Sequence, residues 1–320
     1  MIRSVDVPAL VEQTRAGMPR AIGRLISLVD DQHPALREVM AALAPHTGGA
    51  HVVGLTGSPG VGKSTTTNAL IGAYRVAGKS VAVLAVDPSS PFSGGALLGD
   101  RIRMSEAATD PGVYIRSLAS RGHLGGISVA TPQAIRVLDA AGFDVVLVET
   151  VGVGQSEVAV AGSADTTLVL LAPGMGDGIQ AAKAGILEIG DIFVVNKADR
   201  EGADSTVRDL RHMIQMGEGT APRGWRRRVV RASAVNGTGV DDIVAAVGEH
   251  LEWLAASGEL RRRRTARARD EISALAVAEL RARMGDLGAG GTLDQLAGGV
   301  VDGRTDPFAA ADVLLESVAG

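Results

Sequence analysis

The pattern of apolar and polar residues is most regular between residues 51 and about 256. There, short runs of apolar, mostly β-branched residues alternate with longer segments of helical periodicity. Most of the short runs lack the apolar–polar alternation of a half-exposed strand, as strands buried on both faces do. The predicted strands are Val52–Leu55, Val81–Val86, Val113–Leu118, Val145–Val148, Thr167–Leu171, Ile192–Val195 and Val229–Val230. This alternation predicts an α/β fold with a mostly parallel sheet flanked by helices.

Helical periodicity also fills both ends of the chain. Residues 1–46 carry apolar positions at helical spacing, and Pro19 and Pro34 divide them into short helices. After residue 257, the basic run Arg261–Arg264 enters a helix that is expected to extend through Ala282. The run is either an anion-binding or docking patch or a solvated helix face paired with nearby acidic residues. We therefore predict an N-terminal helical segment at 1–46, a central domain at 47–256 and a C-terminal helical arm at 257–320.

The last sixty residues are expected to pack on another surface. Gly285–Gly299 is predicted to be flexible, and Asp306 and Pro307 are expected to begin a final helix. That helix is expected to turn four apolar residues inward: Ala310, Val313, Leu314 and Leu315. Because the arm has no evident place in the sheet, it is expected to cover its own domain or to hold a second copy of the chain.

Composition excludes several classes of protein. The 320 residues have a net charge of -4, which favours neither nucleic acid nor an anionic membrane as a partner. Cysteine is absent, so disulfides, thiolate nucleophiles and cysteine-based metal sites are excluded. The six histidines are scattered and predict no transition-metal site. No signal peptide and no long apolar run is present, which predicts a cytoplasmic protein.

A glycine-rich loop lies between the first predicted strand and the next helix. Its nine residues are Gly57, Ser58, Pro59, Gly60, Val61, Gly62, Lys63, Ser64 and Thr65, which match G-x-x-x-x-G-K-[ST]. Glycines allow successive backbone N–H groups to point at a phosphate, and the helix N-terminus adds its positive dipole end. Lys63 is expected to reach the β- and γ-phosphates, and Ser64 to ligate Mg²⁺. The alternative is an ordinary turn between a strand and a helix.

A second motif follows the strand Ile192–Val195. It contains Asn196, Lys197 and Asp199 in the pattern N-K-x-D. The Asp199 carboxylate is expected to accept two hydrogen bonds from guanine, which adenine does not offer, and so to select GTP. Lys197 is expected to cover the base, and Asn196 to tie this loop to the phosphate loop. After the next strand, backbone N–H groups of Ser233, Ala234 and Val235 are expected to face the guanine carbonyl. The alternative for the motif is a helix-capping turn.

Three acidic residues are candidates for the Mg²⁺ site. Asp87 and Glu149 each follow a predicted strand, and Asp100 lies in the glycine-rich loop after Asp87. Mg²⁺ prefers oxygen ligands and keeps several waters, so these carboxylates are expected to act largely through water. The alternatives are helix N-caps for Asp87 and Glu149 and surface charge for Asp100. Phosphoryl transfer depends mainly on positioning and on cations, here Lys63, Mg²⁺ and Arg103.

Two segments are candidates for switches that respond to the γ-phosphate. Gly152 lies three residues after Glu149, where a GTPase needs a glycine N–H to sense the triphosphate. The segment Gly174–Gln180 is a further glycine-rich candidate, followed by Lys183 and Glu188. Its alternative is a loop without function before a helix.

Several longer stretches resemble the MeaB/ArgK family of P-loop GTPases. They lie at Val86–Ser90, Gly94–Met104, Ile115–Gly126, Glu149–Glu157, Gly176–Glu188 and Asp306–Ala311. The resemblance extends over nearly the whole chain. It departs mildly at Pro91, Phe92 and Ala96 and in a short, glycine-rich tail.

The resemblance implies a P-loop GTPase that protects and reloads adenosylcobalamin-dependent methylmalonyl-CoA mutase, or a related mutase, and that forms a homodimer through its helical extensions. It also implies nucleotide and Mg²⁺ roles for Lys63, Asp87, Asp100 and Glu149, and a third switch at Gln180 and Lys183. Two alternatives remain. One is a nickel or cobalt metallochaperone GTPase, which would need clustered histidine or cysteine. The other is an ATP-dependent kinase linked to amino-acid transport, which conflicts with the N-K-x-D motif.

Overall fold

A seven-stranded sheet organises the computed structural model, which describes residues 5–88, 109–120, 130–150, 156–174, 187–218, 224–289 and 291–319. Its strands are β1 His51–Thr56, β2 Val81–Pro88, β3 Val113–Ser120, β4 Val145–Thr150, β5 Thr166–Leu171, β6 Ile192–Val195 and β7 Arg228–Arg231. The order across the sheet is β3-β2-β4-β1-β5-β6-β7, and neighbouring strands are parallel. All seven predicted strands are present, and the predicted α/β class is confirmed.

Twelve helices accompany the strands in the described part of the chain. They are α1 Val7–Arg15, α2 Pro19–Asp30, α3 Leu36–Leu43, α4 Lys63–Val76, α5 Ala130–Ala140, α6 Ser156–Ser163, α7 Leu187–Ile189, α8 Ala203–Glu218, α9 Val240–Ala256, α10 Glu259–Ala289, α11 Thr292–Val301 and α12 Pro307–Ala319. Pro19 begins α2, where its missing N–H costs no hydrogen bond. A 3₁₀ turn at Ala44–His46 lies at the junction predicted before the central domain. None of the helices described is long and apolar enough to span a membrane.

The core lies on both faces of the sheet because successive strand residues point to opposite sides. Val52 packs in the cluster that contains α1, α2, α3 and α5, whereas Val53 packs in the cluster that contains α4 and α9. Val146 and Leu147 in β4 divide in the same way. Burying a side chain of this size contributes roughly 1.5 to 3 kcal/mol. The predicted N-terminal segment thus forms part of the main core.

The chain divides into two compact units, Met1–Arg264 and Thr265–Gly320. In the second unit α11 packs against α12. Asp306 caps α12 by accepting hydrogen bonds from the N–H groups of Phe308 at 2.9 Å and Ala309 at 3.2 Å, as predicted.

The structure adds detail for Gly285–Gly299, whose predicted flexibility stays a prediction, and it contradicts the inward orientation expected for two residues of α12. The segment Gly285–Gly299 is largely helical, since α10 continues to Ala289 and α11 follows. Gly299 is buried, and a Cβ there would lie 3.4 Å from the Thr305 side chain, an ordinary contact distance. Val313 and Leu315 are 52% and 55% exposed, whereas Ala310 and Leu314, one turn apart, are buried.

Buried charges hold the start of α10 against the amino edge of the sheet, where the parallel strands begin. Arg263 donates to both carboxylate oxygens of Asp191, at 2.9 and 3.0 Å. Arg264 donates to the fully buried Asp165, at 2.7 and 3.1 Å, and to the carbonyl oxygen of Ala50 at 2.9 Å. Arg262 and Arg263 also pair with Glu259. The basic run therefore binds the strands through two of its members, a role that neither sequence interpretation included.

Two histidines meet at the same edge. His51 Nε2 and His250 Nδ1 each lie 2.8 Å from the hydroxyl oxygen of Thr166. Burial lowers the pKa of both histidines to about 4, against the opposing charge of Asp165 beside His51 and Asp191 beside His250. Both rings are therefore neutral at physiological pH.

Candidate nucleotide-binding site

The loop between β1 and α4 exposes backbone N–H groups, because two of its glycines adopt conformations that side chains disfavour. Gly57 and Gly62 have φ angles of 142° and 98°, in the region that favours glycine. A Cβ at Gly57 would lie 2.3 Å from the Leu170 carbonyl oxygen, and one at Gly62 would lie 2.4 Å from Asn196 Nδ2. At Gly57 and Gly62, a side chain is thus excluded by both conformation and space. The N–H groups of the loop and of the first turn of α4 form a site suited to an anion.

Lys63 begins α4 and is buried, with 7% of its surface exposed. Its ammonium donates hydrogen bonds to the carbonyl oxygens of Gly57 at 2.6 Å and Ser58 at 3.2 Å. A buried ammonium must be satisfied by hydrogen bonds or by opposite charge. Phosphate oxygens are stronger acceptors than these carbonyls, so the ammonium is placed where an anionic ligand would gain from it.

Glu149 lies at the carboxyl end of β4, paired in register with Leu55 of β1. Its buried carboxylate accepts hydrogen bonds from Ser64 Oγ at 2.6 Å and from Thr67 Oγ1 at 2.8 Å. Hydroxyl and carboxylate oxygens are the donors that Mg²⁺ prefers, so Ser64 and Glu149 fit that ion chemically. Thr67 was not predicted, although its spacing of three residues from Ser64 places both on one face of α4.

The loop after β6 is tied directly to the phosphate loop. Asn196 is buried and donates from Nδ2 to the carbonyl oxygen of Val61 at 2.8 Å. Its Oδ1 accepts a hydrogen bond from the N–H of Ala234 at 3.1 Å. Lys197 Nζ donates to the carbonyl oxygen of Gly60 at 2.6 Å, from a backbone with φ of 56° that is uncommon for a non-glycine residue. One asparagine therefore joins three loops that the sequence separates by 135 and 38 residues.

Asp199 and Ser233 meet at the outer end of these loops. Ser233 Oγ donates to Asp199 Oδ1 at 2.6 Å, and this hydrogen bond lowers the pKa of the carboxyl group. The carboxylate is exposed and stays ionised, ready to accept further hydrogen bonds. Ser233 is fixed by its backbone bridge to Thr238, and Val235 is exposed beside it. The two segments predicted to contact guanine are therefore neighbours.

Polar groups also collect at the ends of the central strands. Thr56 ends β1 and Thr150 ends β4, and each has a buried hydroxyl without a hydrogen-bond partner among the described residues. A buried hydroxyl without a partner costs roughly 1 to 3 kcal/mol. These hydroxyl groups lie at the same edge as the phosphate loop, where a bound ligand could supply the missing partners.

Several predicted site residues lie outside the described residues. These are Asp100, Arg103, Gly152, Gln180 and Lys183. Asp87 belongs to β2, but its side chain is not described. Glu188 lies in α7 and is exposed. Within the described ranges, no group of three or more histidine or acidic side chains could hold a metal ion.

Comparison with known proteins assigns the chain to a family. The family model "Methylmalonyl Co-A mutase-associated GTPase MeaB" matches residues 22–287. A relative from Pyrococcus abyssi whose name contains the word GTPase is 44% identical over 98% of this chain and 97% of its own length. The protein named "Methylmalonic aciduria type A homolog, mitochondrial" from Caenorhabditis elegans is 35% identical over 81% of this chain and 69% of its own length.

A solved structure agrees with this assignment. The crystal structure of a protein named "LAO/AO transport system kinase" superposes with a TM-score of 0.72 and 28% identity, covering 100% of both chains. The sheet order, the phosphate loop and the family match point to one conclusion. The chain belongs to the MeaB family of P-loop GTPases.

Proposed function

We propose that the protein hydrolyses GTP to GDP and phosphate, with Mg²⁺ bound between the nucleotide and the protein. The observation that carries this proposal is the Asn196 bridge, which joins the phosphate loop at Val61 to the base loops at Ala234. A phosphate loop and base loops that are held at one fixed separation are suited to binding a single guanine nucleotide. Family membership supports the same nucleotide.

Each residue then has a defined task. The backbone N–H groups of 57–62 and the N-terminus of α4 bind the phosphates, and Lys63 turns from the loop carbonyls to the phosphate oxygens. Ser64 and Glu149 would hold Mg²⁺, with Asp87 and Asp100 as the further acidic residues proposed from the sequence. When bound, Mg²⁺ neutralises charge that develops on the phosphate oxygens. Catalysis by such a site is mainly positioning and charge stabilisation, and water is the acceptor.

Guanine selection is the part of this proposal that is tested most directly. Asp199→Asn exchanges an acceptor for a donor, so GTP loses two charge-assisted hydrogen bonds and affinity should fall by about a hundredfold. Xanthosine triphosphate offers the complementary group and should bind the variant more tightly than the wild type. Asp209→Asn, an exposed carboxylate on α8, is the matched control and should change neither affinity. Unchanged GTP affinity in Asp199→Asn would show that this carboxylate does not read the base.

The client proposed for the GTPase is an adenosylcobalamin-dependent methylmalonyl-CoA mutase, which it would protect and reload with cofactor. The support is the description of the family model and the name of the Caenorhabditis elegans relative. Purified mutase should accelerate GTP hydrolysis, because a partner that orders switch loops lowers their entropy cost. Absence of stimulation by any cobalamin-dependent mutase would sink the chaperone role while leaving the nucleotide site intact.

The superposed crystal structure is of a protein named as a kinase, and a product assay separates that activity from hydrolysis. A hydrolase releases inorganic phosphate in stoichiometric amount from GTP. A kinase for amino-acid transport would instead transfer phosphate from ATP to a protein or solute. Running both nucleotides in parallel distinguishes the two activities.

The second unit is proposed to hold a homodimer together. Its helix α10 carries large apolar side chains that are exposed: Ile272, Leu275, Val277 and Leu280. Exposed apolar residues gathered on one element are typical of interaction surfaces. Leu275→Glu with Leu280→Glu should yield a monomer by light scattering, whereas Val76→Glu, at an exposed apolar position in the first unit, should not. A double variant that remains dimeric would place the interface elsewhere.

A further inference from the structure

A cavity of about 700 Å³ lies beside the edge strand β7, between α8 and α9. It opens next to Gly224–Arg228, the segment that leads into β7. Because the strands are parallel, the start of β7 lies at the amino edge of the sheet, where all the strands begin. The phosphate loop and the base loops lie at the opposite edge, where the strands end. The cavity is therefore separate from the nucleotide site.

The charged side chains that line the cavity are all arginines: Arg211, Arg226, Arg227 and Arg228. Arg228 pairs with Glu249. The other three make no hydrogen bond or ion pair with any described residue. Guanidinium groups repel one another when they share a small space, and the chain as a whole has a net charge of -4. Among the described residues that line the cavity, these three guanidinium groups have no carboxylate beside them, so they form a site for an anion that carries several oxygens.

Aromatic side chains supply one wall of the cavity. Trp225 and Trp253 are the only two tryptophans of the chain, and both line it. Trp225 is fixed because its indole N–H donates to the carbonyl oxygen of Asp191 at 2.9 Å. The ring of His250 lies 4.7 Å from Trp225 and is stacked at 5.8 Å on Trp253. In a chain with only 2% aromatic residues, this rigid cluster offers planar apolar surface beside the three arginines.

We propose that this arginine–tryptophan pocket binds a phosphorylated small molecule with a planar ring, of the nucleoside diphosphate class. The arginines would share the phosphate oxygens, and the ring would lie against the indoles, as bases do on aromatic side chains. The volume is in the range of small-molecule sites, and the concave shape favours a compact ligand over an extended polymer. The pocket forms a second ligand site on the protein, independent of the GTPase proposal.

Because both tryptophans line the pocket, their fluorescence reports on it directly. Full-length protein carrying equimolar GDP and Mg²⁺ is titrated with adenosine diphosphate, with inorganic pyrophosphate and with a single-stranded RNA oligonucleotide. The expected result is a saturable change in fluorescence with adenosine diphosphate, at a lower concentration than pyrophosphate requires. No saturable change with adenosine diphosphate would overturn the proposal. Equal affinity for pyrophosphate, or tighter binding of the oligonucleotide, would overturn the assigned ligand class.

Variants locate the binding. Arg226→Ala with Arg227→Ala should raise the Kd for adenosine diphosphate at least about tenfold, since removing one charge-assisted hydrogen bond has an effect of that size. Arg211→Ala, on a different element, should raise it as well, so the test does not depend on one variant folding. Arg208→Ala removes an exposed arginine of α8 that does not line the cavity and is the matched control. An equal loss of affinity in this control, or an unchanged Kd in both pocket variants, would overturn the assignment.

Discussion

The two edges of the central sheet hold their buried charges in different ways. At the carboxyl edge, the partners of Lys63 include two backbone carbonyls, and those of Glu149 include two hydroxyl groups. At the amino edge, Arg263 and Arg264 meet the carboxylates of Asp191 and Asp165 directly. A hydrogen bond to a neutral carbonyl or hydroxyl group can be exchanged for one to a charged ligand with net gain, whereas a closed ion pair gains nothing from a ligand. The carboxyl edge is therefore arranged to bind a ligand, and the amino edge to stabilise the fold.

The largest expected effect tests the carboxyl edge. Lys63→Ala should lower the rate of GTP hydrolysis by about 10² to 10³-fold, because a cation is lost where negative charge develops. The fold should persist, since the carbonyls of Gly57 and Ser58 that accept from Lys63 lie in the same loop. Phosphate release and circular dichroism together measure this. Lys79→Ala, an exposed lysine near Asp144, is the control and should hydrolyse normally. A Lys63→Ala protein with near-normal turnover would contradict the assignment.

The next effect tests the amino edge. Arg264→Ala leaves the fully buried Asp165 without its main partner and should lower the free energy of unfolding by about 3 kcal/mol. Urea unfolding measures that loss, and GTP affinity, measured well below the unfolding midpoint, should not change. Arg262→Ala removes an arginine that is 80% exposed and leaves Glu259 paired with Arg263, so it should cost less than about 0.5 kcal/mol. If Arg264→Ala weakens GTP binding while stability is retained, the two edges are not separate in function.

The difference between the edges also explains what the sequence could predict. The phosphate loop works through consecutive backbone groups, and the N-K-x-D motif through side chains within four consecutive residues, so their spacing in the sequence carries the geometry. At the amino edge, the pair Arg264–Asp165 spans 99 residues and Arg263–Asp191 spans 72, so no local pattern marks it. The sequence shows the run of arginines, but it does not show that Asp191 and Asp165 are their partners. Thr67 is an intermediate case. Helical spacing places it beside Ser64, which the sequence shows, but its hydrogen bond to Glu149 depends on the fold.

Acid should weaken the amino edge through its histidines. The unfolded chain protonates His51 and His250 near pH 6.5, whereas burial holds the pKa of each at about 4 in the folded protein. The free energy of unfolding should therefore fall as the pH drops from about 6.5 to 4, by roughly 1.4 kcal/mol per pH unit for each histidine. His51→Gln should flatten this dependence, whereas His212→Gln, exposed on α8, should leave it unchanged. Identical pH profiles for wild type and His51→Gln would exclude this source of acid sensitivity.

The smallest expected effect concerns a hydroxyl group that holds the Glu149 carboxylate at the carboxyl edge. Thr67 Oγ1 donates to Glu149 Oε2 at 2.8 Å, while Ser64 Oγ donates to Oε1 at 2.6 Å. Thr67→Val keeps the shape and removes one hydrogen bond, worth about 1 kcal/mol, so the carboxylate gains freedom to rotate. Turnover should fall about fivefold and half-maximal activity should need more Mg²⁺, with GDP affinity nearly unchanged.

Two further variants separate positioning by Thr67 from a general effect of losing a buried hydroxyl. Thr67→Ser restores the donor and should recover most of the Mg²⁺ dependence of the wild type. Thr206→Val removes the hydroxyl of a buried α8 residue that donates to the carbonyl of Gly202, just before that helix, and it should alter stability without altering the Mg²⁺ requirement. If Thr67→Val and Thr206→Val behave alike, Thr67 serves only packing. A shift in the Mg²⁺ requirement confined to Thr67→Val would show that the hydroxyl orients Glu149.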